Sequence, residues 1–267
     1  MRGPQKPGAD EAWFRYGSMV ATAPTSTARW VVGVDACRAG WVVVLRDRAT
    51  GTYIARVVGN FQAVMTLPEA PAVIAVDVPI GLLATACAGG RACEQLARKF
   101  LGRRASSVFS SPTRAALAAF RTGAGYRAVS IANRGNIAGA PGISQQTFGI
   151  LPKIDEVDRL LAPAGQGIVV EVHPELCFAE ANGGTPMSHS KKTLSGLTQR
   201  ATLLARLGFA SPLGLLWPRL PVGVKRDDLV DACIACWTAE RVATSSAVVI
   251  PSSPPTDTTG LRMELWR

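Results

Sequence analysis

The chain has few acids, few histidines and no long apolar stretch. Its 267 residues carry 19 Asp and Glu against 29 Lys and Arg, and only two His. No apolar run reaches the roughly 18 residues of a membrane-spanning helix, so no membrane partner is expected. Charged residues amount to 18%, too few for a disordered or coiled-coil protein. Six cysteines do not make a disulfide scaffold in a chain this long. Cys233 and Cys236 form a CxxC, but within what reads as a buried helix, where packing accounts for them. A zinc site would want a second pair of similar spacing, and Cys87 and Cys93 are six apart with no nearby His. Residues 1–28 contain Arg2, Lys6, Asp10, Glu11 and Arg15 and no apolar core of a signal peptide. Reduced thiols and a cytoplasmic location are therefore expected.

Hydrophobic residues are plentiful, at 48%, enough to bury a sizeable core. The net charge is +10, and its distribution is uneven. Between Arg91 and Lys153 stand ten basic residues and one acid, Glu94. A local surplus of this kind fits either a polyanionic partner such as nucleic acid or a solvated basic face.

Residues 1–28 lack periodicity and read as a flexible leader. From residue 29 to 267 no linker or internal repeat interrupts the chain, which predicts a single domain. Trp30 to Asp35, Trp41 to Leu45 and Tyr53 to Val58 are β-rich runs with short connections, predicting antiparallel hairpins. A short helix is expected near 61–67, and Val73 to Asp77 is a further strand ending in an acid. Helices are predicted over 93–101 and 113–121, the latter with Thr113 as N-cap. The Gly-, Ser- and Asn-rich stretch 122–149 reads as loop, and an amphipathic helix follows from about Pro152. Residues 167–172 predict a buried strand, 193–207 and 227–243 two helices. The order predicts an α/β fold: a mixed sheet flanked by helices, with a basic helical insertion.

Three acids lie where acids are expensive. Asp35, Asp77 and Glu171 sit in or just after runs of Val and Ile that should be buried, where an unpaired carboxylate costs several kcal/mol or stays protonated. Strand-end acids can converge at the sheet edge where open α/β sheets bind ligands, although each alone could cap a helix or pair with an Arg. Asp228 and Asp231, three apart on one helical face, precede the apolar run 232–237. At a helix N-terminus acids gain about 0.3–1 kcal/mol from the macrodipole, which suffices for Asp227; Asp231 lies one turn deeper.

Several carboxylates in one place repel each other unless cations join them. Oxygen-only ligands suit Mg²⁺ or Mn²⁺, and two such ions about 3.5–4 Å apart can activate water against a phosphodiester. Asp35, Asp77, Asp231 and Glu171 are thus candidate metal ligands. With Asp228 they form the candidate catalytic set. Arg38, in the turn after Asp35, and Lys191 and Lys192, before a helix, are candidates for binding substrate phosphates. His173, two residues beyond Glu171, could orient a water or ligand, or be a structural His.

Taken together, several segments make the chain recognisable. They are Gly33-Val34-Asp35-Ala36-Cys37-Arg38-Ala39-Gly40-Trp41, Ala75-Val76-Asp77-Val78-Pro79-Ile80-Gly81, Ser106-Ser107-Val108-Phe109, Ser144-Gln145-Gln146, Glu171-Val172-His173-Pro174-Glu175, Ser190-Lys191-Lys192-Thr193 and Asp227-Asp228-Leu229-Val230-Asp231-Ala232. With them the chain resembles a bacterial family of uncharacterised proteins predicted to be RNase H-like nucleases, over about residues 31–264. The resemblance implies an RNase H-like sheet of three antiparallel and two further strands with a C-terminal helix. It implies acids on the first strand (Asp35), the fourth strand (Asp77) and the helix, where Asp228 and Asp231 look like the paired acids of Holliday-junction resolvases. Glu171 belongs to the family's own signature rather than to the wider superfamily. Glu94 stands where the family usually has Asp, which keeps the charge.

The expected function is divalent-metal-dependent hydrolysis of nucleic acid, DNA or RNA. Two other readings stay open at this point. One is a non-catalytic module binding nucleic acid or a small anion. The other is a nucleotide-dependent phosphotransferase of the actin-like type, although such enzymes usually carry two copies of the domain and one is visible here.

Overall fold

The computed structural model describes residues 28–267; apart from Ala28, the expected leader lies outside the described residues. Runs of Val and Ile adopt extended backbone because branched side chains fit a pleated surface. Strands β1 (Trp30–Cys37), β2 (Gly40–Asp47) and β3 (Tyr53–Val58) pair antiparallel in succession. Helix α1 (Phe61–Met65) follows, with the Asn60 side chain accepting a hydrogen bond from the Ala63 amide at 2.9 Å. Strand β4 (Val73–Val76) returns parallel to β1.

The basic insertion is helical, as expected: α2 (Ala92–Leu101), α3 (Arg114–Arg121), α4 (Tyr126–Arg134) and α5 (Gln145–Leu160). Two expectations need correction here. Residues 126–134, read as loop, form α4, because Val129, Ser130 and Asn133 turn one face inward. And α5 begins at Gln145, not at Pro152, since Ser144 caps it by accepting from the Thr147 amide at 2.9 Å. Pro152 sits inside the helix, and the buried stripe Thr147, Leu151, Ile154, Val157 runs straight through it.

Strand β5 (Val169–Glu171) then pairs parallel with β4, completing a five-stranded sheet in the order β3-β2-β1-β4-β5. Helices α6 (Pro174–Ala181), α7 (Leu194–Arg206), α8 (Pro212–Leu215) and α9 (Arg226–Ala243) follow. Helix α6 gave no periodic signal because Leu176, Cys177, Phe178 and Ala179 are all buried; a helix apolar on every side has no amphipathic stripe. Strands β6 (Val249–Ile250) and β7 (Leu265–Trp266) pair with each other, and Trp266 also bridges Val172 beside β5. Among the described residues no helix is long and apolar enough to cross a membrane.

The sheet is covered on both faces. Val31, Val42, Val44, Val73, Ala75 and Val170 pack toward α6, α7 and α9. Val32, Val34, Val43, Ile74, Val76 and Val169 pack toward α1, α3, α4 and α5. Alternation along each strand divides the two sets, and burial of both faces explains why the strands read as unbroken apolar runs. Helix α9 crosses β1 at its one residue without a side chain. A Cβ on Gly33 would stand 2.1 Å from the Ala232 carbonyl oxygen and 2.1 Å from the Cys236 amide nitrogen. That contact holds the middle of α9 against the middle of β1.

Candidate active site

Strand parity selects the acids. Gly33 faces α9, so Asp35, two residues on, faces it too, at the end of β1. On β4, Val73 and Ala75 face the same side, and Asp77 continues that row just past the strand. The pairing of Val34 with Val76 puts Asp35 and Asp77 in neighbouring register, and the Asp77 amide donates to the Val34 carbonyl at 3.1 Å. Asp231 enters from α9 with its side chain 1% exposed. All three belong to the face that α9 covers.

Their charges interact strongly. Burial, then Asp77 and Asp231, push the Asp35 carboxyl well above the usual carboxylate range. Burial also raises Asp77 and Asp231, each to about 6, while Lys191 opposes the rise in both. The Lys191 ammonium is ion-paired with Asp231 Oδ2. Burial works against its charge, but Asp231, Asp35 and Asp77 hold the proton on it. Asp231 Oδ1 is buried without a hydrogen-bond partner.

Asp35, Asp77 and Lys191 open into a cleft of about 490 Å³, which Asp231 itself does not line. Asp35 and Asp77 line its floor, and cations line it as well: Arg104, Lys153, Lys192 and Lys225. Ser107 and His173 line it too and touch each other. The His173 Nε2 lies 3.2 Å from the Ser107 carbonyl oxygen. A carbonyl only accepts, so Nε2 carries the proton and Nδ1 is left with a lone pair. That Nδ1 is buried and unpartnered, and burial holds the ring below its usual pKa, hence neutral near pH 7.

Other expected site residues have different surroundings. Glu171 is opposite Val76 in register and so points away from the face of Asp35 and Asp77. Its carboxylate takes two bonds from the Arg91 guanidinium, at 2.8 and 2.5 Å, and one from the Ile80 amide at 2.6 Å. Burial raises it to about 7 against the pull of Arg91. Arg91 is itself buried, donates to Glu94 at 2.7 Å, and also holds the Ile80 and Gly81 carbonyls. Glu171 is thereby committed to the wall of the cleft and not to the acid cluster. Asp228 closes the first turn of α9, accepting from the Lys225 amide at 2.8 Å, with its pKa raised by burial. Arg38 is exposed on the β1–β2 turn and is not among the residues lining the cleft. Lys191 and Lys192 both line it, and Lys191 is paired with Asp231.

The basic section is less basic in space than in sequence. Arg91 pairs with Glu94 and Glu171, Arg104 with Glu175, Arg114 with Asp158 and Asp257, Arg121 with Asp155 and Asp158, and Lys153 with Glu156. All but Glu94 of these acids lie outside the 91–153 stretch, so half of its ten cations are balanced by residues the local count leaves out.

Two functional elements went unread in the sequence. Arg91 is one; its signal was Glu94 three residues on, an (i, i+3) pair. Arg200 is the other. It falls on the apolar stripe of α7 with Leu197 and Leu204, is fully buried, and donates to Glu175 at 2.5 Å and to the His189 carbonyl at 3.0 Å. An arginine on a buried stripe is itself the signal, because it needs a partner.

Among the described residues no group of three or more His, Cys, Asp or Glu side chains is placed so that it could hold a metal ion. The acids match a hard divalent ion in donor chemistry and charge alone. They are all carboxylates, they repel one another, and one buried oxygen, Asp231 Oδ1, has no partner.

A family model described as "Protein of unknown function (DUF429)" matches residues 33–256, and the chain belongs to that family. No curated protein and no solved structure matches it.

Proposed function

We propose that this DUF429 protein is a nuclease: it hydrolyses phosphodiester bonds of nucleic acid with Mg²⁺ or Mn²⁺ held by Asp35, Asp77 and Asp231, on a sheet of the RNase H-like type. One observation carries the reading. Two acids at the ends of parallel neighbours β1 and β4 line a cleft that also holds cations, and a third acid, Asp231, lies buried on the same face of the sheet beneath Lys191. The strand order, three antiparallel strands followed by two parallel ones with a long helix across them, is the arrangement that RNase H-like folds share, and it supports the same reading.

When bound, a hard divalent ion would polarise the scissile phosphate and lower the pKa of a water. The chain's own residues do the rest. Asp35, Asp77 and Asp231 supply the negative charge that makes the ion's site. Lys192 and Lys225 neutralise phosphate oxygens along the cleft. His173, neutral and bonded to the Ser107 carbonyl, shapes the cleft beside the acids. Arg91, Glu94 and Glu171 hold the wall against which the substrate lies. The insertion's charge is partly spent in internal ion pairs, so backbone contact falls to the cleft cations.

The test is cleavage. Purified protein with Mg²⁺ or Mn²⁺ is offered single-stranded, duplex, hybrid and branched substrates, beside Asp35→Asn and Asp77→Asn variants whose folding is checked by circular dichroism. Metal-dependent cleavage that both variants lose is the expected result. No cleavage of any of the four substrate types overturns the proposal.

A further inference from the structure

Two of the sequence segments that mark this chain, Ser106-Ser107-Val108-Phe109 and Ser144-Gln145-Gln146, meet at the cleft, where Phe109 and Gln146 both line the wall. Phe109 is the unusual ring of the molecule. Every other Phe, Tyr and Trp among the described residues belongs to an apolar cluster or packs against one. Phe109 belongs to none and is half-buried. Among the described residues no other Phe, Tyr or Trp lines the cleft. A phenyl ring gains most from full burial, so a ring kept out of every cluster and held at a cleft wall has its partner in what enters the cleft.

The backbone that carries this ring is fixed. Arg98 donates to the Val108 carbonyl at 2.7 Å and to the Ser110 hydroxyl at 3.0 Å. The buried Glu94 accepts from the Ser111 amide at 3.1 Å, and His173 holds the Ser107 carbonyl at 3.2 Å. The Thr147 hydroxyl donates to the Ser110 carbonyl at 3.4 Å, tying the segment to α5. The two residues on each side of Phe109 are pinned while the ring itself is unpacked. A platform held in this way needs little further ordering when a ligand binds.

Helix α5 supplies the neighbouring surface. Gln146, Ile150 and Lys153 follow the i, i+4, i+7 spacing of one helical face, and all three line the cleft. Gln146 is exposed, and its carboxamide offers both a donor and an acceptor. Lys192 and Lys225, also exposed, line the same cleft.

An aromatic face, a carboxamide and ammonium groups within about 490 Å³ match the three parts of a nucleotide: its flat base, the hydrogen-bonding edge of that base, and its phosphate. A base inside a duplex has both faces covered by its neighbours and its pairing edge taken, so it cannot lie on Phe109. We infer that Phe109 is a stacking platform for an unpaired base, with Gln146 at the edge of that base, and that the substrate is a single strand. The inference rests on the nucleic-acid reading given above and narrows it to unpaired nucleotides.

Binding tests it without cleavage. In EDTA, and again with Ca²⁺, fluorescence anisotropy compares a labelled single-stranded oligonucleotide, its duplex, and an abasic strand of the same length that keeps every phosphate and lacks every base. Wild type is expected to bind the single strand about tenfold or more tighter than either of the others. Phe109→Ala loses about 5- to 150-fold in affinity for the single strand, the range of one base–aromatic stack, and Phe109→Trp keeps the affinity. Circular dichroism verifies that both variants are folded. Equal affinity for abasic and base-bearing strands overturns the inference and leaves the phosphodiester reading standing, and so does a Phe109→Ala protein that binds as wild type does. A nucleoside monophosphate that binds as tightly as the strand, with the same loss in Phe109→Ala, supports the base subsite and overturns a polymer as the substrate. No binding of any of these ligands under either condition overturns both readings.

Discussion

The carbonyl oxygen of Ala232 lies 2.1 Å from where a Cβ on Gly33 would be. Helix α9 thus rests directly on the backbone of β1, and this contact brings Asp231 onto the face that carries Asp35. Gly33→Ala forces helix and strand apart, and both contacting atoms are backbone, so no rotamer change relieves it. Overpacking of this kind costs about 1–3 kcal/mol or more. Urea denaturation is expected to show a lower midpoint for Gly33→Ala. An unchanged midpoint would mean that α9 does not lie where the acids need it.

Asp77 makes stability depend on pH in a definite direction. Burial raises its carboxyl from 3.8 to about 6. Below pH 4 both the folded and unfolded chains hold the proton, and the group favours neither. Between pH 4 and 6 the unfolded chain ionises first and binds fewer protons, so stability falls as pH rises and stays lower above 6. The shift corresponds to a loss on the order of 2 kcal/mol after allowing for partial exposure. Asp77→Asn removes that loss. Without added metal it should gain stability over wild type as pH climbs from 4 to 7, measured by urea denaturation at each pH. Curves that stay parallel across that range contradict the assignment.

Glu171 and Asp77 should separate cleanly in mutants. Glu171→Gln leaves the Arg91 guanidinium with half its partner, and breaking a buried pair from one side costs about 3–5 kcal/mol. Arg91→Met costs a similar amount by stranding both Glu171 and Glu94. Thermal melts are expected to show the loss in both variants, while Mn²⁺ binding to Glu171→Gln, measured below its melting range, keeps the wild-type stoichiometry. A Glu171→Gln protein of full stability that no longer binds Mn²⁺ would put Glu171 back among the ligands.

How much of this was readable in advance depends on which geometry each residue needed. Asp35 and Asp77 ended unbroken Val and Ile runs, and a strand's period of two is local, so their significance was visible. Asp231 was visible through its depth along a helix. Glu171 looked equivalent to them because it also closes an apolar run. Its side chain points the other way because β5 pairs with β4 in a register that places Glu171 opposite Val76, and register between distant strands is not written in either strand alone. The basic stretch misled for the same reason: Asp158, Glu171, Glu175 and Asp257 are remote in sequence and adjacent in space. Helix α4 hid among Gly and Asn because its buried face is short and partly polar, with Ser130 and Asn133 inside.

Gly196 offers an indirect way to move Lys191. A methyl group there meets the Ser190 carbonyl at 1.9 Å, so Gly196→Ala displaces the loop while leaving Lys191 itself unaltered. The expected cost is about 1–3 kcal/mol in a thermal or urea melt. Displacing the lysine from Asp231 is also expected to change Mn²⁺ binding, measured by calorimetric titration. A variant that is destabilised yet binds Mn²⁺ as wild type does would show that the lysine reaches Asp231 without help from its loop.

Asp257 receives the Leu82 amide at 3.0 Å and the Arg114 guanidinium, and Trp266 closes beside Val172. Residues from the far end of the described chain therefore lock both the start of the helical insertion and the outer edge of the sheet. During synthesis on the ribosome, β1 to β5 and the insertion can emerge and collapse, but these two fastenings cannot be made until residues 257–266 have left the exit tunnel. The nascent protein should thus remain open to proteases at the 82–114 junction until that moment, and a cleft wall that depends on Arg91 would be among the last parts to set.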